Sequence, residues 1–184
     1  SNAHGRGNDA FYGGVLAPNG KTILVPLASA NIGIFDPDTN TYTDGPTHGQ
    51  GGNAFYGGLL VPSGKIILIP HNSANIGIYD PETNTYSQGP THGQGSNAFG
   101  GGVLAANGKV IFAPYVGQRV GIYDPELNTF TAGPYHGQPG GAVFNGAVLA
   151  PNGIVILIPH ISAVIGKYDP DLNTYTSGPF HGFG

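Results

Sequence analysis

Between Lys65 and Gln94 the sequence reads KIILIPHNSANIGIYDPETNTYSQGPTHGQ. The apolar run 66–69 has no alternation, as expected of a strand covered on both faces. It stops at Pro70, which has no N–H to give to a ladder. A polar loop, 71–75, leads to a second apolar run, 76–79. Asp80-Pro81 then opens a turn: the carboxylate accepts from a backbone N–H two residues on, and the proline presets φ. A Thr-Tyr-Ser strand follows, and Gly89-Pro90-Thr91-His92-Gly93 reads as a loop. Upstream, residues 54–61 form a further strand with a costly Gly57-Gly58 pair. A tight hairpin at Pro62-Ser63-Gly64 joins it to the run 66–69.

This text is written four times. Asp36, Asp80 and Asp124 stand 44 residues apart and Asp169 follows 45 later, the extra residue falling in 138–143. His4, His48, His92, His136 and His181 keep the same step. The four first strands are 10–17, 54–61, 98–105 and 144–150; the second are 23–25, 66–69, 110–112 and 154–158. The third strands are 32–35, 76–79, 120–123 and 165–168, each leading through the Asp-Pro turn to a short fourth strand. A repeat of about 40 to 50 residues with four short strands per copy points to propeller blades. Helix formers are scarce and Gly/Pro punctuation is dense, which disfavours a helical solenoid.

The expected fold is therefore all-β: a β-propeller of four four-stranded antiparallel blades in one chain. The alternative is half of an eight-bladed ring completed by a second chain, so the state is monomer or homodimer. The blades occupy about 4–47, 48–91, 92–135 and 136–184 of a single domain. Glycines of the first strands are expected where backbones crowd near the axis, and the rings Phe35/Tyr42, Tyr79/Tyr86, Tyr123/Phe130 and Tyr168/Tyr175 at the wider rim.

Thirty-three glycines, sixteen prolines and 9% charged residues would suit disorder, but 39% hydrophobic residues in ordered runs argue for packed sheets. The net charge of −4, with six Lys/Arg scattered, leaves no footprint for nucleic acid. No apolar run approaches a membrane span and no signal peptide is visible. Cysteine is absent, which rules out disulfides and leaves the redox compartment open. Ser1-Asn2-Ala3 looks like a tag remnant, and His4 rather than Met follows it, so a segment of a longer protein is expected.

Asn-Gly-Lys before the second strand, Tyr79-Asp80-Pro81-Glu82-Thr83-Asn84-Thr85-Tyr86 and Gly89-Pro90 are similar to the kelch consensus. The chain thus resembles a divergent kelch-like repeat, with Pro where kelch blades carry a Gly pair and Tyr or Phe for the kelch Trp. The resemblance implies an interaction module more often than an enzyme.

Because strands alternate in direction, the loops after the second and fourth strands share one face and the Asp-Pro turns lie on the other. The first face collects the repeated His48, His92, His136 and His181. Their imidazoles either form a pore ring for a ligand or pin loops through local hydrogen bonds, the commoner fate of a residue present in every copy. Positions that the repeat does not need are the ligand-binding candidates: His71, Asn72, Asn75, Tyr115, Gln118, Arg119 and His160. No His pair has metal spacing, the Asp-Pro loops lack the Gly and distal Glu of an EF-hand, and no cofactor is expected. Neither a Gly-x-Ser-x-Gly elbow, a P-loop nor a dinucleotide fingerprint occurs. The expectation is a propeller without catalytic residues, not an enzyme, binding a glycan or protein through one face. The alternatives are a structural repeat of a surface or phage-like protein and a metal-dependent enzyme built on the His ring. An extracellular or surface location is favoured.

Overall fold

The structure is a computed structural model and describes residues 8–182. The tag remnant 1–3 and His4 lie outside these residues. The chain divides into two compact units, one ending at Gly89 and one beginning at Pro90.

In the first unit, blade one comprises β1 (Phe11–Leu16), β2 (Thr22–Pro26), β3 (Asn31–Asp36) and β4 (Thr41–Thr47). Blade two comprises β5 (Phe55–Leu60), β6 (Ile66–Pro70), β7 (Asn75–Asp80) and β8 (Thr85–Thr91). In the second unit, blade three is β9 (Phe99–Leu104), β10 (Val110–Pro114), β11 (Arg119–Asp124) and β12 (Thr129–Tyr135). Blade four is β13 (Phe144–Leu149), β14 (Val155–Pro159), β15 (Val164–Asp169) and β16 (Thr174–Phe180). Each blade is an antiparallel sheet with its strands in chain order.

The expected punctuation holds in detail. Each second strand ends on its proline, and β6 and β10 are buried along their whole length. The Asp36 carboxylate accepts from the N–H groups of Asp38 and Thr39, at 3.0 and 3.2 Å, and Asp80, Asp124 and Asp169 repeat this turn. One boundary differs. Gly-Pro-x belongs to the fourth strand rather than to a loop, because a register shift opposite Asn31–Gly33 lets pairing resume at Thr47.

Crowding of the first strands has a direct measure. A Cβ on Gly13 would lie 3.6 Å from the Gly57 Cα, and one on Gly101 only 2.7 Å from the Gly146 Cα. A second use of glycine is less visible in the sequence. A Cβ on Gly33, Gly77, Gly121 or Gly166 would strike the first-strand phenylalanine ring of the same blade at 2.8–3.0 Å. The third strand is bare there so that Phe11, Phe55, Phe99 or Phe144 can lie across the sheet.

Each unit has its own core. In the first, Ile23, Ile32, Phe55, Ile66, Leu68 and Tyr79 pack together; in the second, Ile111, Val120, Phe144, Val155, Leu157 and Tyr168 do so. The rings expected at the rim divide by role. Tyr79, Tyr123 and Tyr168 are buried and donate to the side-chain oxygens of Asn84, Asn128 and Asn173, each at 3.0 Å. Burial and the adjacent Asp169 push the Tyr168 phenol up to about 12. Tyr42 instead donates to the Asp44 carboxylate at 2.7 Å. The Tyr86 hydroxyl is buried without a partner and is pushed up to about 12 by that burial.

Candidate functional site

The loops after the second and fourth strands do meet. In the first unit the Ala54 N–H donates to the Leu27 carbonyl at 3.1 Å, and in the second the Val143 N–H donates to that of Tyr115 at 2.6 Å. Backbone bonds of this kind join neighbouring blades within each unit and gather the loop residues on one face.

The repeated histidines sit inside this junction. His48 is 3% exposed, its ring edge-on to Phe55 and Tyr86 of the next blade, at 5.4 and 6.2 Å between centroids. Its Nδ1 accepts from the Gln50 N–H, so the proton resides on Nε2, which donates to the Ser29 carbonyl at 2.7 Å. His136 repeats the arrangement with Phe144, Tyr175, Gln138 and the Gly117 carbonyl. His92 is buried against Phe99 and Phe130 and accepts from the Gln94 N–H. His181 donates to the Ser162 carbonyl at 2.7 Å. Both ring nitrogens of His48 and His136 are engaged with backbone, so neither imidazole has a lone pair or proton left for a ligand. Burial holds both below the ordinary histidine value, against the raising effect of the carbonyl each faces.

The candidates at non-repeating positions separate into three groups. Asn75 begins β7, and its side chain donates to the Gly89 carbonyl at 3.0 Å, as Asn31 does to Gly45 at 2.9 Å. Its placement is that of a within-blade clasp. His71 is buried and stacks on Tyr56 at 4.5 Å, and Tyr56 stacks on Tyr12 at 3.7 Å, with Asn72 exposed beside them. In the second unit Tyr115 faces His160 at 5.6 Å.

The third group has the richest surroundings. Arg119 opens β11 and donates to the Gly133 carbonyl at 2.9 Å, taking the same clasp as Asn31 and Asn75. Its guanidinium carbon lies 3.6 Å from the centroid of Tyr135, the last residue of β12. Tyr135 is 58% exposed and, with Val116 and Gln118, separates two hollows of 320 Å³ each. One is completed by Gly93, Gln94 and Arg119, the other by His136, Gly137, Gln138, Pro139 and Gly140. Tyr12, Tyr56, Val116 and Tyr135 were not among the residues predicted from the sequence. For the tyrosines the signal was the broken repeat: Gly100 and Asn145 occupy the positions of Tyr12 and Tyr56 in the later copies, and Thr47 and Thr91 become Tyr135 and Phe180.

A hollow of 370 Å³ also lies on the opposite face of the first unit, between Pro18, Asn19, Ser63, Gly64, Asp80, Pro81 and Glu82. There the Asn19 side chain donates to the Pro81 carbonyl at 3.1 Å and ties the two blades together. The carboxylate of Asp80 is committed to its own turn.

No protein-family model matches this sequence, and no curated protein matches it. Solved structures do. Virginiamycin B lyase from Staphylococcus aureus superposes with a TM-score of 0.81 over 99% of this chain at 14% identity. A catalytically inactive histidine-to-alanine variant of that lyase, solved with quinupristin, gives 0.80 at 15% identity. An auxiliary nutrient binding protein from Bacteroides ovatus gives 0.69 over 94% of this chain and 42% of its own, at 15% identity. The chain spans 59% of the length of either lyase structure. The fold is that of a β-propeller.

These likenesses correct one expectation. The chain was expected not to be an enzyme, because no hydrolase or nucleotide motif is present. Propellers of this fold include a lyase, so the lack of such motifs does not exclude catalysis. Function resides in sites grafted on a fold, and the motifs sought belong to other folds.

Proposed function

We propose that the protein is a ligand-binding propeller and that the rim of its third blade takes a glycan. The observation that carries this reading is the exposed Tyr135 ring standing between two 320 Å³ hollows edged by Gln94, Gln118 and Gln138. An aromatic face packs against the C–H face of a sugar ring, while carboxamides both donate to and accept from its hydroxyls. The hollows fall at the small end of the range for small-molecule sites. An auxiliary nutrient binding protein among the similar structures supports a binding role for such a scaffold. A divergent kelch-like repeat, used as an interaction module at a cell surface or outside it, fits the same reading.

The test is an oligosaccharide array followed by calorimetry on the best ligand. Tyr135→Ala is expected to weaken binding by about tenfold or more, the equivalent of about 1.4 kcal/mol. Unchanged affinity in that variant would remove the third-blade rim from the site.

A further inference from the structure

The clasp at the start of each third strand needs little. Asn31 and Asn75 fill it with one amide donor to the Gly45 and Gly89 carbonyls, and blade four manages with Val164, which offers no side-chain donor. Arg119 supplies the same single bond, to the Gly133 carbonyl, and carries further N–H groups and a positive charge that the clasp does not use. The Tyr135 ring under the guanidinium holds it in place, and both border one hollow with Gln94 and Gln118. Among the described residues Arg119 makes no ion pair, whereas Lys21 and Lys109 reach Asp36 and Asp124 on the turn face. His136, on the adjoining hollow, is buried with both ring nitrogens bonded to backbone, Nδ1 accepting from the Gln138 N–H and Nε2 donating to the Gly117 carbonyl. The chain as a whole is acidic, so attraction for an anion at this rim has to be local.

We infer that the ligand of this rim carries a carboxylate, as a uronic acid residue does, and that Arg119 is the residue that recognises it. This rests on the glycan-binding reading above. A planar guanidinium meets a carboxylate with two parallel N–H donors, which a neutral sugar does not repay.

The repeat itself supplies the control: Arg119→Asn puts in place the residue that performs the clasp in blades one and two. The wild-type protein and this variant would be titrated at low salt with neutral and uronic-acid oligosaccharides of matched length. The wild type is expected to prefer the acidic series by about tenfold, with added salt eroding the preference. Arg119→Asn should bring the two series level while keeping the melting temperature. An acidic preference that survives in Arg119→Asn, or a wild type that favours the neutral series, overturns the role of Arg119 and leaves the glycan reading standing. A wild type that binds neither series overturns both.

Discussion

Ile23, Ile32, Phe55, Leu68 and Tyr79 of the first unit have as counterparts Ile111, Val120, Phe144, Leu157 and Tyr168 of the second, and both sets are buried. The histidine clasp is shared as well, with His48 in one unit and His136 in the other bonded to backbone through the same two nitrogens. The surfaces differ. In the first unit the aromatic rings stand at the starts of the first strands, where Tyr12, Tyr56 and His71 form a stack. In the second, Gly100 and Asn145 take the two tyrosine positions, and exposed rings appear at the ends of the fourth strands, Tyr135 and Phe180. A Cβ on Gly100 would meet the Asn145 side-chain oxygen at 2.8 Å, so the second unit has no room for the first unit's stack. Closely matching cores carrying different surfaces mean that the framework and the surface vary independently.

The largest expected effect tests the identity of the cores. Phe55→Ala and Phe144→Ala each remove a fully buried ring and should each cost about 3–5 kcal/mol in urea unfolding. Costs differing by more than about 2 kcal/mol between the two would break the equivalence of the two cores.

A smaller effect concerns the shared clasp. His48 and His136 are held below their ordinary value of 6.5, so the folded state resists protonation more than the unfolded chain does. The stability they contribute is complete above pH 6.5 and is lost as the pH falls from there through the folded-state value. The urea midpoint should therefore drop below pH 6.5 in the wild type and drop less in a His48→Asn, His136→Asn double variant. An equal slope in both proteins would assign the acid sensitivity to other groups.

The smallest effect belongs to the aromatic stack of the first unit. Tyr12→Ala loses one stacked ring pair and should cost about 0.5–1.5 kcal/mol, without altering glycan affinity at the third blade. A loss of glycan binding in Tyr12→Ala would break the independence expected of the two sites.

Much of the framework was legible beforehand because its signals are local. Proline at the end of the second strand, Asp-Pro in the turn and glycine in the hairpin each act within a few residues. The proposed binding rim was only partly legible. Gln118 and Arg119 stood out as departures from the repeat, as did Asn75, but Asn75 and Arg119 both reach back to a carbonyl of their own blade and only Arg119 also borders a hollow. Nothing in a linear sequence separates a side chain that reaches back to Gly89 from one that reaches solvent. Tyr135 was passed over because its Gly-Pro-Tyr context reads as loop, whereas a register shift extends the strand and lifts the ring beside Arg119.

The sequence by itself determined the number of blades, their strands and the residues that pack them, since period, apolar runs and turn chemistry repeat with every copy. Only the tertiary structure decided which repeated polar residues were already spent and which aromatics stood clear. Those outcomes depend on contacts between residues distant in the chain: His48 against Tyr86, and Arg119 over Tyr135. Hydrogen-bond capacity is a property of the residue type, but whether it is used up is settled by the neighbours that packing provides.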